Sequence, residues 1–142
     1  MSKHHHQKHH TFRVSWDGKT VSGVDRVSPL TRLVDVITIR DGSWPGGGVH
    51  TAPGRVSSAP VTLERPAGAD SAFEDWAAAE PSSPGARKDV TVEILDRNGD
   101  PVLSYRLHRC WVTEYQVALL EPRERTVVIE RLRLENSGWE RI

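Results

Sequence analysis

The sequence predicts a mainly β protein, an antiparallel β-barrel or sandwich with one short flanking helix. Three observations predict it. Apolar and polar residues alternate over Phe12-Arg13-Val14-Ser15-Trp16 and again over Val90-Thr91-Val92-Glu93-Ile94, the period of two expected of half-buried strands. Asp17-Gly18 and Asn98-Gly99 carry the chemistry of tight hairpin turns and stand just after these runs. A helix-start pattern stands at Ser71-Ala72-Phe73-Glu74, and the apolar stretch behind it is only a few residues long.

Taken in order, residues 1 to 10 hold five of the seven histidines and almost nothing apolar, which reads as a flexible arm before a single domain over 11 to 142. The strand at Thr11 to Trp16 turns at Asp17-Gly18, and Thr20 to Val24 returns as its partner. After Pro29, Leu33 to Arg40 forms a strand rich in β-branched residues, with Val34 and Val36 on one face and Leu33, Ile37 and Ile39 on the other. A strand apolar on both faces has to be covered on both faces, and in so small a domain another chain is a natural source of cover. Asp41 to Arg55 has five glycines and two prolines and reads as a long surface loop, with Trp44 as an aromatic placed for contact.

Pro60 to Arg65 gives a further short strand. In the helix that follows, Ser71 is expected to accept from backbone donors while Glu74 reaches back. Phe73, Trp76 and Ala77 share one face, and the helix stops by Pro81. Asp89 to Asp96 pairs through the Asn98-Gly99 turn with a strand whose Leu103, Tyr105, Leu107 and Trp111 share a face, and Thr113 to Val117 continues it beyond a bulge. The last strand, Thr126 to Leu134, changes phase between Val127/Ile129 and Leu132/Leu134, which calls for a bulge or a passage between two packing environments. The total is seven or eight strands and one helix.

Composition narrows the function. A chain of 142 residues has room for one core, and no apolar run approaches the roughly 20 residues that span a bilayer, so membrane insertion by this chain is not expected. The 19 basic residues are matched by 19 acidic ones, without the basic excess that nucleic-acid binding draws on. One cysteine forbids an internal disulfide and fits a reducing compartment, and the start lacks the apolar stretch of a signal peptide, so synthesis in a cytoplasm is expected.

Catalytic motifs are wanting. Gly46-Gly47-Gly48 has no Lys-Ser/Thr leading into a helix and reads as loop. Cys110 has His108 two residues before it, on one face of a regular strand, but no third group orients the pair, so Cys110 reads as a buried residue. The histidines at 4, 5, 6, 9 and 10 lack Cys or carboxylate ligands at fixed spacing. Glu74, Asp75 and Glu121 read as solvated, and Arg123 to Arg133, alternating with Glu124, Glu130 and Glu135, as a salt-bridged surface. No catalytic residue, cofactor or metal is expected.

The order of short motifs carries a resemblance. Phe12-Arg-Val-x-Trp-Asp-Gly18, Gly23-Val…Val27-Ser-Pro-Leu30 and Asp35-Val…Arg40-Asp-Gly42 resemble, in this order, the tube proteins of contractile tails. So do Pro53-Gly54, Val61-Thr-Leu-Glu-Arg65, Asp70…Phe73-Glu-x-Trp76, Arg87-Lys-Asp-Val90, Val92-Glu-Ile-Leu-Asp96 and Gly99-x-Pro-Val102. Tyr105…Cys110-Trp-Val112, Val128-Ile-Glu-x-Leu132 and Gly138-x-Glu-Arg141 complete the series. The chain thus resembles, from about residue 11 to its end, the inner-tube family of contractile phage tails and phage tail-like injection systems.

The resemblance implies a tail-tube-like fold and a structural subunit that forms stacked hexameric rings, a hollow tube inside a sheath. Its implied partners are further copies of itself, the sheath, baseplate or spike and tape-measure proteins, with protein cargo as a candidate content of the lumen. It implies assembly in a bacterial cytoplasm into a virion or phage tail-like particle. Under this reading the subunit interface is expected at Leu33, Val34, Val36, Ile37, Ile39, Asp41, Trp44 and His50. The alternative is a monomeric β-sandwich binding module that uses the Trp44 loop.

Overall fold

In a computed structural model the chain is described over residues 11–40, 48–120 and 127–142. The expected arm at 1 to 10, Asp41 and Trp44 of the expected interface, and Glu121, Arg123 and Glu124 lie outside the described residues. The strands are β1 (Thr11–Trp16), β2 (Lys19–Val21), β3 (Arg26–Val27), β4 (Arg32–Arg40), β5 (Val49–Ser58), β6 (Val61–Pro66), β7 (Lys88–Leu95), β8 (Pro101–Leu120), β9 (Val127–Glu135) and β10 (Trp139–Arg141). The helix α1 (Ala72–Ala78) lies between β6 and β7.

Eight strands form one antiparallel sheet in the order β2-β1-β7-β8-β9-β6-β3, with β10 added alongside β8, while β4 and β5 pair separately as a two-stranded ribbon. The path ends at β2 and β3 without closing, so the body is a folded sandwich and not a barrel. Its spine is β8, twenty residues long: Pro101 to Cys110 pair with β7, and Trp111 to Leu120 pair with β9. The two wings thereby face each other across one core. Val14, Val90, Val92 and Leu107 from one wing meet Val61, Leu63, Leu132 and Leu134 from the other, with Phe73 and Trp76 of α1 in the same cluster.

Local chemistry explains most of the turns. Asp17 and Gly18 both have positive φ, 55° and 74°, as a two-residue hairpin loop of primed type requires. In the β7–β8 turn Gly99 takes φ 85°, and the Asp96 carboxylate accepts from the backbone N–H groups of Asn98 and Asp100.

The helix cap departs from expectation. Ser71 makes no side-chain cap; its hydroxyl donates to Asp75, and the Asp70 carboxylate accepts from the Ala72 N–H instead. That backbone bond, reinforced by Arg65, holds the Asp70 carboxyl below its ordinary value. A full negative charge is the stronger acceptor at a helix start, which accounts for the exchange of roles.

Two irregularities in β8 organise the second half, one at Arg109 against β7 and one at Thr113 against β9, the latter where a bulge is expected from the sequence. Arg109 sits at φ 51° with its N–H bonded to Asp89, and the β7–β8 register shifts there. The extra residue turns Cys110 into the core behind Leu107 and leaves Trp111 half-buried, stacked under Arg87 at 4.2 Å. Trp111 therefore does not share the Leu107 face. In β9 no bulge occurs, since its register with β6 is continuous from Leu134 to Ile129. The alternation simply continues through Glu130, which occupies a core position; it is buried and not part of a charged surface.

Glu130 is there to meet Arg65, whose side chain is fully buried. Arg65 Nε donates to Glu130 at 3.0 Å, and its terminal nitrogens donate to the carbonyls of Ser22 and Asp70 at 2.9 and 3.0 Å. One of them also lies 2.9 Å from the Asp70 carboxylate, and the guanidinium stacks on Phe73 at 4.3 Å. The Tyr115 hydroxyl donates to the other Glu130 oxygen.

Removing one member of such a pair leaves a charge buried without its partner. Glu130→Ala or Arg65→Ala is expected to lose about 3–5 kcal/mol of stability, measured by denaturant unfolding; a loss below about 1 kcal/mol would contradict the arrangement. The bond to Glu130, with burial second, raises the Tyr115 hydroxyl from 10.0 to about 12. The native state thus holds this proton more tightly than the unfolded chain. Its contribution is complete below pH 10.0 and is lost as the pH rises through about 12. Tyr115→Phe should flatten the fall in stability over that window.

Candidate functional site

The feature that the body does not account for is the β4–β5 ribbon. It runs from Arg32 paired with Ser58 to Arg40 paired with Val49, and neither strand joins the eight-stranded sheet. The Ala59 N–H closes its base on the Thr31 carbonyl. The long surface loop expected from Asp41 to Arg55 is thus strand from Val49 onward. Its β-branched Val49, Thr51 and Val56 favour extended chain, and Pro53 is tolerated because β5 has a partner on one side only.

Both faces of the ribbon are apolar, and both are open to solvent. Opposed residues of an antiparallel pair share a face. One face therefore carries Val34 with Val56 and Val36 with Pro53; the other carries Leu33, then Ile37 with Ala52 and Ile39 with His50. Val36 is 72 % exposed and Val56 61 %, values far from those of a core strand. Of the expected interface residues, the structure brings Leu33, Val34, Val36, Ile37, Ile39 and His50 onto this one element. Val49, Ala52, Pro53 and Val56 belong to it as well and were hidden by the glycine- and proline-rich composition around them.

A bulge shapes the ribbon. Between Val34 and Val36 stands Asp35 alone, whereas between Val56 and Pro53 stand two residues, Arg55 and Gly54. Ile37 lies over Gly54 so closely that a Cβ there would come within 2.7 Å of Ile37 Cγ1 and 3.3 Å of Asp35 Cβ. Any side chain at 54 would therefore force Ile37 to move from its place across the ribbon.

The nucleophile weighed in the sequence has no catalytic setting. Cys110 is fully buried, and burial raises its thiol to about 12, so it stays protonated at neutral pH. The bulge at Arg109 separates it from His108, whose Nε2 lies 2.8 Å from Glu140 at the surface. Among the described residues no group of His, Cys, Asp or Glu is arranged to hold a metal ion, and no helix is long and apolar enough to cross a membrane.

The family model described as T4-like virus tail tube protein gp19 matches residues 8–140. No curated protein matches the sequence. Among solved structures, a chain of the PVC sheath–tube complex, an extracellular contractile injection system in its extended state, aligns with TM-score 0.76 and 18% identity, over 93% of this chain and 89% of that one. A chain of the anti-feeding prophage baseplate, 6-fold symmetrised, aligns with TM-score 0.73 and 18% identity over 94% and 93%. Hcp1 from Flavobacterium johnsoniae aligns with TM-score 0.55 and 14% identity over 93% and 99%. At these identities the structural likenesses establish the fold.

The ribbon's shape depends on Gly54, and its position outside the body isolates the effect of changing it. Gly54→Val should speed hydrogen exchange of the ribbon amides while the amides of β6–β9 keep their protection and global stability moves by less than about 0.5 kcal/mol. Unchanged exchange in the ribbon would show that the Ile37 contact does not hold it.

Proposed function

The chain belongs to the T4-like virus tail tube family and is a structural subunit of a contractile-tail inner tube, and we propose that its copies join into stacked hexameric rings through the β4–β5 ribbon. The single observation that carries this reading is the ribbon itself: a bulged pair of strands, apolar on both faces, exposed on both faces and unpaired with the other described strands. A free strand edge with apolar flanks invites pairing with another chain, and a tube subunit has a use for that in its neighbours. Leu33, Val34, Val36, Ile37, Ile39 and His50 form the interface under this reading, with Asp41 and Trp44 beyond the described end of β4.

Six-fold symmetry finds support in the baseplate likeness, and a surrounding sheath in the sheath–tube likeness. A baseplate or spike, a tape-measure protein and lumenal protein cargo belong to the same proposal, as does assembly in a bacterial cytoplasm into a tail or tail-like particle. The subunit is a passive conduit whose work is bore and rigidity, and no bond is made or broken. Membership of the tube family replaces the alternative of a monomeric binding module built on the Trp44 loop.

A charge placed at Ile37 or Ile39 would have to be desolvated on assembly without a partner. Ile37→Glu or Ile39→Glu is expected to leave a folded monomer by circular dichroism and to abolish rings and tubes in negative-stain electron microscopy. Intact tubes from either variant would remove the ribbon from the interface.

A further inference from the structure

A ribbon that is to meet a neighbour must leave the body at a fixed angle, yet it has no sheet partner to fix that angle. A two-stranded hairpin is of marginal stability in water and bends readily. What holds its base is the C-terminal segment. Asn136, largely buried, donates from Nδ2 to the Ala59 carbonyl at 3.1 Å, at the point where β5 leaves the ribbon for β6. Arg32, the first residue of β4, donates to the Trp139 carbonyl at 3.2 Å, and its guanidinium stacks over the Trp139 ring at 4.8 Å. One tie therefore falls on the first residue of β4 and the other on the residue just after β5.

The segment is itself built to be stiff. Asn136 Oδ1 accepts from the Gly138 N–H at 3.0 Å, so a single side chain shapes the turn and reaches the ribbon. His108 pairs through its backbone with Gly138 and Ser137, Trp139 to Arg141 pair with Leu107 to Tyr105, and the Ile142 N–H bonds to Ser104. The Trp139 ring meets Tyr105 edge-on at 6.0 Å. Both ties are thus referred to the first half of β8, the spine of the core.

We propose that Asn136 to Arg141 form a bracket that sets the direction of the β4–β5 ribbon, with Asn136, Arg32 and Trp139 as positioning residues for assembly. The assembly part rests on the ribbon being the interface; the bracket does not. Arg32 is exposed, so replacing it leaves the core untouched and removes one tie through both its hydrogen bond and its stacking. Lysine keeps the charge but neither the planar stacking nor the fixed geometry of the donors.

The test is a distance measurement in the whole chain. Spin labels at Thr38→Cys in the ribbon and Arg97→Cys in the β7–β8 turn report its angle, with labelled protein diluted into unlabelled so that only distances within one chain count. The buried Cys110 thiol stays silent toward the label. The parent is expected to give one narrow distance distribution; Arg32→Ala and Asn136→Ala should each broaden it by at least twofold, and Arg32→Lys should not restore it. A distribution as narrow as the parent's in Arg32→Ala, and in Asn136→Ala that unfolds as the parent does, would overturn the bracket. Loss of tubes alongside broadening supports the assembly role. Broadening with tubes that form normally would overturn the assembly role while leaving the bracket in place, and the interface reading then stands or falls separately with Ile37→Glu and Ile39→Glu.

Discussion

Burying the Arg65 guanidinium places a demand on the structure that several distant parts of the chain meet together. A cation out of water must have its donors satisfied and its charge opposed. Glu130 of β9 opposes it, the carbonyls of Ser22 and Asp70 and the Asp70 carboxylate take its remaining donors, and the Phe73 ring covers its face. These partners come from the second wing of the sheet, the segment after β2 and the start of α1. The same constraint therefore ties the short edge strand β2 and the helix to the wing formed by β6 and β9. Trp16, packed at 4.7 Å from Trp76 and 6.1 Å from Phe73, joins the other wing to the same helix. An apolar core fixes wings by volume, whereas the arginine fixes them by direction.

With that arrangement complete, the body needs nothing from the β4–β5 ribbon. No ribbon residue belongs to the core cluster, and the apolar side chains of the ribbon lie in water. The fold thus separates two tasks that many small domains combine. Body residues supply stability within one chain. Under the proposed interface, ribbon residues hold apolar surface in reserve, at about 25 cal/mol per Å² once covered, for a second copy to cover. Balanced charge, 19 basic against 19 acidic residues, leaves no long-range repulsion to oppose that approach.

How far this could be read from the sequence follows from where each signal is local. The hairpins at Asp17-Gly18 and Asn98-Gly99, the strand alternation in β1 and β7 and the apolar face of α1 are set by neighbours within a few residues, and all appear as expected. The two-faced pattern of β4 was also legible, because residues apolar on both sides of a strand ask for cover whatever the rest of the fold. Strand β5 was not, since glycine and proline outweighed its β-branched residues until a partner strand was supplied. The bulge at Arg109 depends on Asp89, twenty residues away, and the buried Glu130 on Arg65, 65 residues away. Alternation alone carries no sign of either. At the helix cap, Asp70 takes the place expected of Ser71 because a carboxylate is the stronger acceptor, and its contact with Arg65 reinforces a choice between neighbours that the cap pattern alone does not make.

A tube repeats one geometry many times, and any freedom in the joining element recurs at every joint. A ribbon free to swing would pay for its ordering at each contact, in lost conformational freedom. The bulge at Arg55-Gly54 sets the ribbon's register, Ile37 packs closely over Gly54, and the ties at Ala59 and Arg32 refer its base to the long strand β8. Most of the ordering is thereby done inside the single chain, before any neighbour is met. If the ribbon is the joint, as proposed, stiffness in an assembled tube comes from short, specific contacts in each subunit and not from the size of the surface buried between them.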